Sequence, residues 1–274
     1  MTKPVRIGTV LYNPKVTVIW DIIKDYFEEQ GIPTDIVYYP DYDRQTDGFV
    51  KGEIDVAWNS PLAWVDAYRR TNGRCRAIAM RDSDVDRVSY IIARKDSAVN
   101  SLADLKGKRF ATGAPDSPQS TLIPLEFLRE NGIEPDKDIR VVRAPARDGW
   151  QGDDLDGEFG AFKKVLGGEA DASAILDWMW DFWTADGKID ASQVKIIAKT
   201  ETFDHCVFAA REDFDSELEK KWVDVLLSMS YDNPTHKQMM DMEGLKEWLP
   251  GRNTGFGPLT KATENQRFFE KQPA

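Results

Sequence analysis

Regular alternation of strand-like and helix-like segments constrains this chain more than any other feature. Residues 5–11 read as a strand. Residues 16–30 follow as an amphipathic helix, with Val18, Ile19, Ile22, Ile23, Tyr26 and Phe27 at helical spacing and Gly31 as its stop. A strand at 34–39, a helix at 43–51 and a strand at 54–58 come next, then a helix at 61–70 that opens on Pro61, a residue suited to the first helical turn. The pattern continues with strands at 77–80, 88–94, 109–112, 139–143, 172–175, 194–198 and 205–210. Helices at 101–106, 119–131, 161–167 and 177–184 fall between them. Such alternation predicts an α/β fold with mixed, mostly parallel sheets flanked by helices. The mostly helical remainder after residue 210 has no obvious use in one doubly wound sheet. Two lobes account for it, with the chain crossing near 96–101 and returning near 200–204. The expected division is 1–98 with 204–274 for one lobe and 99–203 for the other. A ligand cleft is expected between them, outside the C-terminal strand ends.

Charge narrows the partners. Thirty-six Lys and Arg stand against 47 Asp and Glu, a net of −11 over 274 residues. No broad basic field exists to attract nucleic acid or an anionic membrane, although one small anion in a local pocket is not excluded. No stretch approaches the length of a membrane span. The N-terminus runs straight into a strand, without an apolar signal-peptide core. The sequence alone therefore leaves two locations open: cytoplasmic if Met1 is the native start, or extracytoplasmic as a mature form. Two cysteines, Cys75 and Cys206, permit at most one disulfide and show no metal-binding spacing. His205 and His236 are too far apart in sequence, without a third ligand at a recognisable spacing, to suggest zinc. No metal or cofactor is expected, and no nucleotide or serine-hydrolase signature occurs.

Two strand-to-helix turns carry short polar residues. One is Trp58-Asn59-Ser60-Pro61; the other is Asp116-Ser117-Pro118-Gln119-Ser120-Thr121. Ser and Thr at such positions serve as helix caps. The same hydroxyls, with free helix N-terminal N–H groups, also suit an oxyanion without any basic residue.

The segment from Asp96 to Phe110, the run Ser117-Pro-Gln-Ser-Thr121 with Ile123-Pro124, and Gly52-Glu-Ile-Asp-Val-Ala-Trp58 with Ser60-Pro61 resemble the phosphate, phosphite and phosphonate-binding proteins of ABC importers. Gly168-Glu-Ala-Asp-Ala172 and the stretch from Trp248 to Phe256 resemble the same family. That resemblance implies a two-lobed type II periplasmic-binding-protein fold that binds a small oxyanion-bearing molecule, with an ABC permease as partner. It also implies roles for single residues: Ser60 as a contact after the third strand, Tyr90 as the aromatic contact on the crossover strand, and Ser120 and Thr121 as the pair gripping the phosphonate oxygens. The chain departs from the family pattern at Ser117, where Asp is usual, and at Leu122, which follows the Ser-Thr pair. It also lacks a His before the next helix, where residues 152–161 form a Gly-rich stretch with four acids. Asp156 or Glu158 facing the ligand suits a cationic amine or a hydroxyl group and repels a bare dianion.

A further turn reads Asp177-Trp178-Met179-Trp180-Asp181-Phe182-Trp183. Three Trp within six residues cannot share one helix face, so at least one is expected to be exposed. Asp177 and Trp178 come first after the strand and are the preferred ligand contacts, with Trp58, Trp64 and Trp150 as further aromatics. His205 lies at the return crossing, as a hinge or cleft contact or as a structural residue; His236 is expected at the surface.

The ligand-binding set is thus Trp58, Asn59, Ser60, Tyr90, Ser117, Gln119, Ser120, Thr121, Glu158, Asp177, Trp178 and His205. The expected function is capture of a phosphonate-like or zwitterionic small molecule by a monomeric substrate-binding component. The alternative is a cytosolic enzyme on the same fold acting on a small aromatic or carboxylate metabolite, with Asp116, Glu158, Asp177 and His205 as acid–base candidates. A cytosolic metabolite sensor is a third reading.

Overall fold

Residues 3–145 and 155–270 are described by a computed structural model and form two compact units. Unit 1 holds residues 3–85 and 204–255; unit 2 holds residues 86–145, 155–203 and 256–270. In chain order the first visit to unit 1 gives β1 (Val5–Val10), α1 (Lys15–Glu29), β2 (Thr34–Tyr39), α2 (Tyr42–Lys51), β3 (Val56–Asn59), α3 (Pro61–Arg70) and β4 (Arg76–Arg81). Unit 2 follows with β5 (Ser89–Arg94), β6 (Arg109–Ala111), α4 (Ile123–Glu130), β7 (Arg140–Val142), α5 (Leu155–Leu166), β8 (Ala172–Leu176), α6 (Asp177–Ala185) and β9 (Val194–Lys199). The return to unit 1 adds β10 (Val207–Ala210), α7 (Ser216–Leu227), α8 (Pro234–Glu243) and β11 (Trp248–Pro250), and α9 (Gly257–Asn265) closes in unit 2.

Local sequence explains these elements. In α1, Val16, Ile19, Trp20, Ile23 and Phe27 are buried along one stripe against the sheet of unit 1. Asp41 caps α2 by accepting the Arg44 N–H at 3.0 Å, and Gly52 ends that helix at φ 78°, a left-handed conformation suited to glycine. Ser60 caps α3, with Pro61 in the first turn.

Each unit contains one sheet. The order is β11-β4-β10-β3-β1-β2 in unit 1 and β7-β6-β8-β5-β9 in unit 2. The strands of the βα repeats run parallel, as with β1 on β2 and β3, and β6 on β7 and β8. The first strand after each crossing breaks that pattern. β5 runs antiparallel between β8 and β9, and β10 runs antiparallel between β3 and β4. The sheets are therefore mixed and mostly parallel: among the described residues four of the five strands of unit 2 and four of the six of unit 1 point the same way, with β5, β10 and the edge strand β11 reversed.

The first crossing falls at Val85–Asp86, not near residue 98, because β5 bonds to β8 and β9 and so belongs to unit 2. Residues 256–270 also leave the expected lobe. The Asn265 amide donates to Glu126 at 2.6 Å, and the Gln266 amide donates to the Leu122 carbonyl at 2.8 Å, fixing α9 to unit 2. β11 had no strand signal beyond its apolar Trp-Leu pair; it pairs at a sheet edge, where Pro250 is tolerated. Part of the stretch read as a Gly-rich loop is helical, since α5 begins at Leu155. His236 is buried rather than at the surface. Its Nδ1 accepts the Ser230 N–H at 3.1 Å, and its ring stands edge-on to Tyr26. Cys75 and Cys206 are both buried free thiols.

Candidate functional site

The loop from β6 to α4 is the most informative polar region of unit 2. Ser117 is the cap, its Oγ accepting the Ser120 N–H at 3.3 Å. Beyond it the backbone widens, with i→i+5 bonds from Leu122 N–H to the Ser117 carbonyl at 3.0 Å and from Ile123 N–H to the Pro118 carbonyl. Such wide turns within helices recur at functional sites. Pro124 contributes to this geometry. It has no N–H to give the Ser120 carbonyl four residues back, and that carbonyl instead accepts the Gly113 N–H at 3.3 Å. The loop is thereby tied to the end of β6. Ser89 on β5 ties it further, its hydroxyl donating to the Gln119 carbonyl at 2.6 Å.

Ser120 and Thr121 therefore lie inside the turn rather than acting as caps. Ser120 Oγ is 2.7 Å from Ser117 Oγ. Both side-chain atoms of Gln119, the Thr121 Oγ1, the Thr112 Oγ1 and the Ser173 Oγ are buried without a hydrogen-bond partner among the described residues. Buried polar atoms left in that state cost free energy unless something else satisfies them. Glu158 adjoins this set. It is fully buried in the first turns of α5, and its Oε1 accepts the Leu176 N–H at 2.8 Å. A Cβ placed on Gly113 would meet Ser120 on one side and come within 3.4 Å of the Glu158 N on the other. Ser117, Gln119, Ser120, Thr121 and Glu158 are thus brought together. Asp116 is half-buried in the same loop.

At the end of β8, Asp177 opens α6 and forms a bidentate pair with Arg87, at 3.0 and 2.5 Å. This partner was not evident from sequence, because a separation of 90 positions masks the proximity. Of the α6 tryptophans, Trp178 is 39% exposed and stacks on Phe182, which is 51% exposed, while Trp183 is buried. The expected exposed Trp is present. Tyr90 is half-buried, edge-on to Trp180 with Lys199 Nζ 4.9 Å from its ring centre. Burial, then the charges of Asp177 and Asp181, raises its phenol pKa, so it stays neutral.

Unit 1 holds a second polar set. Gln45 on α2 donates to the Trp58 carbonyl and to Asn59 Oδ1, each at 2.9 Å, leaving Gln45 Oε1 and Asn59 Nδ2 buried without partners among the described residues. Ser60 Oγ accepts the Ala63 N–H at 3.3 Å. The Trp58 ring does not form an open aromatic wall. It packs on Phe208 and Trp248, with Arg81 5.2 Å from its ring centre. Trp64 is buried against Tyr68.

His205 joins a different cluster. Its Nδ1 lies 3.5 Å from Asp84 and 3.3 Å from the Cys206 Sγ, and the three residues could geometrically approach one metal ion. The donor set does not fit one, because Arg81 clamps Asp84 at 2.6 and 2.8 Å and also reaches Glu243 at 3.0 Å. Burial alone would raise the Asp84 pKa, but the Arg81 charge and hydrogen bonds, helped by His205, hold it well below the usual carboxylate range. Asp204, next in the crossing, is clamped in turn by Arg252 at 2.7 and 2.6 Å. Sequence spacing conceals this network, since its members come from three separate segments.

Trp150, Asp153 and Asp154 lie outside the described residues, as does the side chain of Asp156. A groove of about 200 Å³ lined by Ile123, Phe127, Glu126, Glu130, Thr200 and Lys261 includes none of the turn residues. Glu126 is paired with Arg129 and Glu130 with Lys261, so that groove offers no free charge from either acid. Among the described residues no helix is long and apolar enough to cross a membrane.

Known proteins share this fold. The probable ABC transporter phosphite binding protein PhnD1 of Prochlorococcus marinus is 24% identical over 265 residues, covering 88% of this chain and 86% of that protein. The structure of PhnD1 from the same organism in complex with methylphosphonate superposes with a TM-score of 0.70 at 21% identity, over 97% of this chain and 98% of that one. A Xanthomonas citri protein bound to ATP gives a TM-score of 0.76 at 17% identity, over 97% of this chain and 99% of that one. These structural likenesses establish the two-lobed fold; their ligands differ. The profile of the ABC transporter phosphonate periplasmic substrate-binding proteins matches residues 9–255, nearly the whole chain, and the protein belongs to that family.

Proposed function

We propose that the protein holds a small phosphonate-type oxyanion at the Ser117–Thr121 turn and delivers it, as a monomer, to an ABC permease. The observation that carries this reading is the buried, unpartnered polar set around the turn: Gln119, Thr121, Thr112 and Ser173. A tetrahedral oxyanion supplies several acceptors at once, which suits hydroxyl and amide donors fixed on a short helix start. The bound methylphosphonate of PhnD1 and the family membership support the same ligand class.

No chemistry on the ligand is part of this reading. Of the acid–base candidates, Asp177 is held by Arg87, His205 lies beside Asp84 in the Arg81 cluster, and Glu158 Oε1 accepts a backbone N–H.

Isothermal titration with methylphosphonate, phosphite and phosphate tests the assignment. Wild type is expected to bind at least one of them tightly, and the double variant Ser120→Ala, Thr121→Ala to lose about 100-fold or more in affinity, as removal of two hydrogen bonds to a charged ligand implies. Unchanged affinity in that variant, or no binding by wild type, overturns the assignment.

A further inference from the structure

Donors from several elements of unit 2 hold the carbonyls of the Ser117–Thr121 turn, and one of them comes from the last helix of the chain. The Ser117 and Pro118 carbonyls accept the Leu122 and Ile123 N–H groups in the wide i→i+5 pattern. The Gln119 carbonyl accepts the Ser89 hydroxyl at 2.6 Å, and the Ser120 carbonyl accepts the Gly113 N–H at 3.3 Å. The Leu122 carbonyl, one residue past Thr121, accepts the side-chain amide of Gln266 at 2.8 Å. The Leu122–Ile123 peptide is therefore fixed at both ends, its N–H by Pro118 and its C=O by Gln266. The end of α9 places that amide. Gln266 is the C-terminal cap, its own N–H donating to the Ala262 carbonyl at 3.1 Å, and Arg267 follows at φ 52°, the left-handed conformation that stops a helix. On the same helix Asn265 reaches Glu126 and Lys261 pairs with Glu130, both farther along α4, whereas Gln266 reaches the turn itself. The i→i+4 pattern is the ordinary one for a helix, and a wide turn persists only where its surroundings hold it. A Leu122–Ile123 peptide released at its C=O is free to rotate toward the tighter pattern, and Thr121 and Ser120, one and two residues earlier, rotate with it.

Resting on the phosphonate reading, we propose that Gln266 is a positioning residue for the ligand site. Its amide, delivered by the C-terminal helix, keeps the turn in the wide form in which Ser120 and Thr121 meet the oxyanion. It acts through the Leu122 carbonyl and not on the ligand.

The test is calorimetric titration of the full chain with methylphosphonate. Gln266→Met keeps a side chain of similar length without a donor. It is expected to bind about 3–10-fold more weakly than wild type, the range for one neutral hydrogen bond. Lys261→Met removes the Glu130 pair from the same helix and is expected to bind as wild type does. Gln266→Glu supplies a rescue that a general loss of stability would not show. At pH 7 its carboxylate opposes the Leu122 carbonyl, and the loss is expected to be about 10-fold or more. Below about pH 4.3, the ordinary glutamate value, its carboxyl O–H donates again, and the loss is expected to shrink to about 3-fold or less. Comparison with wild type at each pH cancels the titration of the ligand. Where the Gln266 variants fail to fold by circular dichroism, nuclear magnetic resonance of wild type decides. The Gln266 side-chain amide signal is expected to shift on addition of methylphosphonate and that of Asn265 to stay. Affinity in Gln266→Met equal to wild type, an equal loss in Lys261→Met, no recovery of Gln266→Glu at low pH, or an unmoved Gln266 signal overturns the proposal. Absence of wild-type binding overturns the phosphonate reading and this proposal with it, whereas wild-type binding with Gln266→Met unchanged overturns this proposal alone.

Discussion

The Oγ of Ser120 occupies the space that a Cβ on Gly113 would need, and the Ser120 Cβ would lie only 3.1 Å from such an atom. Gly113→Ala is therefore expected to push Ser120 out of the turn. Affinity for methylphosphonate should fall by about 10-fold or more, with a stability loss of about 1–3 kcal/mol typical of overpacking. Gly160→Ala is the control. It lies within α5 with nothing within 4 Å of an added Cβ, and should stabilise by about 0.5–1 kcal/mol in urea unfolding. Retained binding in Gly113→Ala would show that Ser120 does not hold the ligand.

Asp84 makes stability depend on pH in a defined sense. Its carboxyl is held well below its ordinary value in the folded protein, so the unfolded chain takes up the proton first as pH falls. The contribution is fully present above about pH 4, the ordinary aspartate range, and is lost as pH falls below it toward the folded value. Asp84→Asn takes from the half-buried Arg81 its bidentate carboxylate and leaves it Glu243, and should cost about 1–3 kcal/mol near neutrality. The variant's melting temperature should also vary less between pH 4 and pH 2 than that of wild type. A parallel decline in both proteins would exclude Asp84 as the source.

Both thiols are buried, and burial raises the Cys75 pKa, which disfavours the reactive thiolate. Ellman's reagent should detect almost no thiol in the native protein and two per chain after denaturation without reductant. A count of zero in denaturant would mean a disulfide between Cys75 and Cys206.

Fold class was legible because apolar periodicity is a local property. Helix α1 shows its stripe of Ile19, Ile23 and Phe27 in the sequence alone, and the bounds of β2 and α3 follow directly from their Gly and Pro flanks. Direction of pairing was not legible. β5 and β10 have the same apolar composition as parallel strands, and the reversal depends on where the chain re-enters each sheet. In the site, Ser117, Ser120 and Thr121 announce themselves as a hydroxyl cluster at a helix start. Ser173 does not, because it stands as one small polar residue in the run Ala-Ser-Ala, where packing and ligand contact look alike. Gln45 is hidden in a polar helix whose buried face is itself partly polar, and Arg87 is hidden by its distance in sequence from Asp177.

The interleaving of β10 between β3 and β4 bears on how the molecule is made. A nascent chain ending after β4 has two parallel strands with a vacant lane between them, each facing it with unsatisfied backbone groups. That lane stays empty until all of the first visit to unit 2 has been synthesised. Unit 2 receives its reversed strand first, because β5, which lies between β8 and β9, is the first strand given to it. The later portion of the chain can thus complete its sheet before the earlier one, and assembly runs against the order of translation.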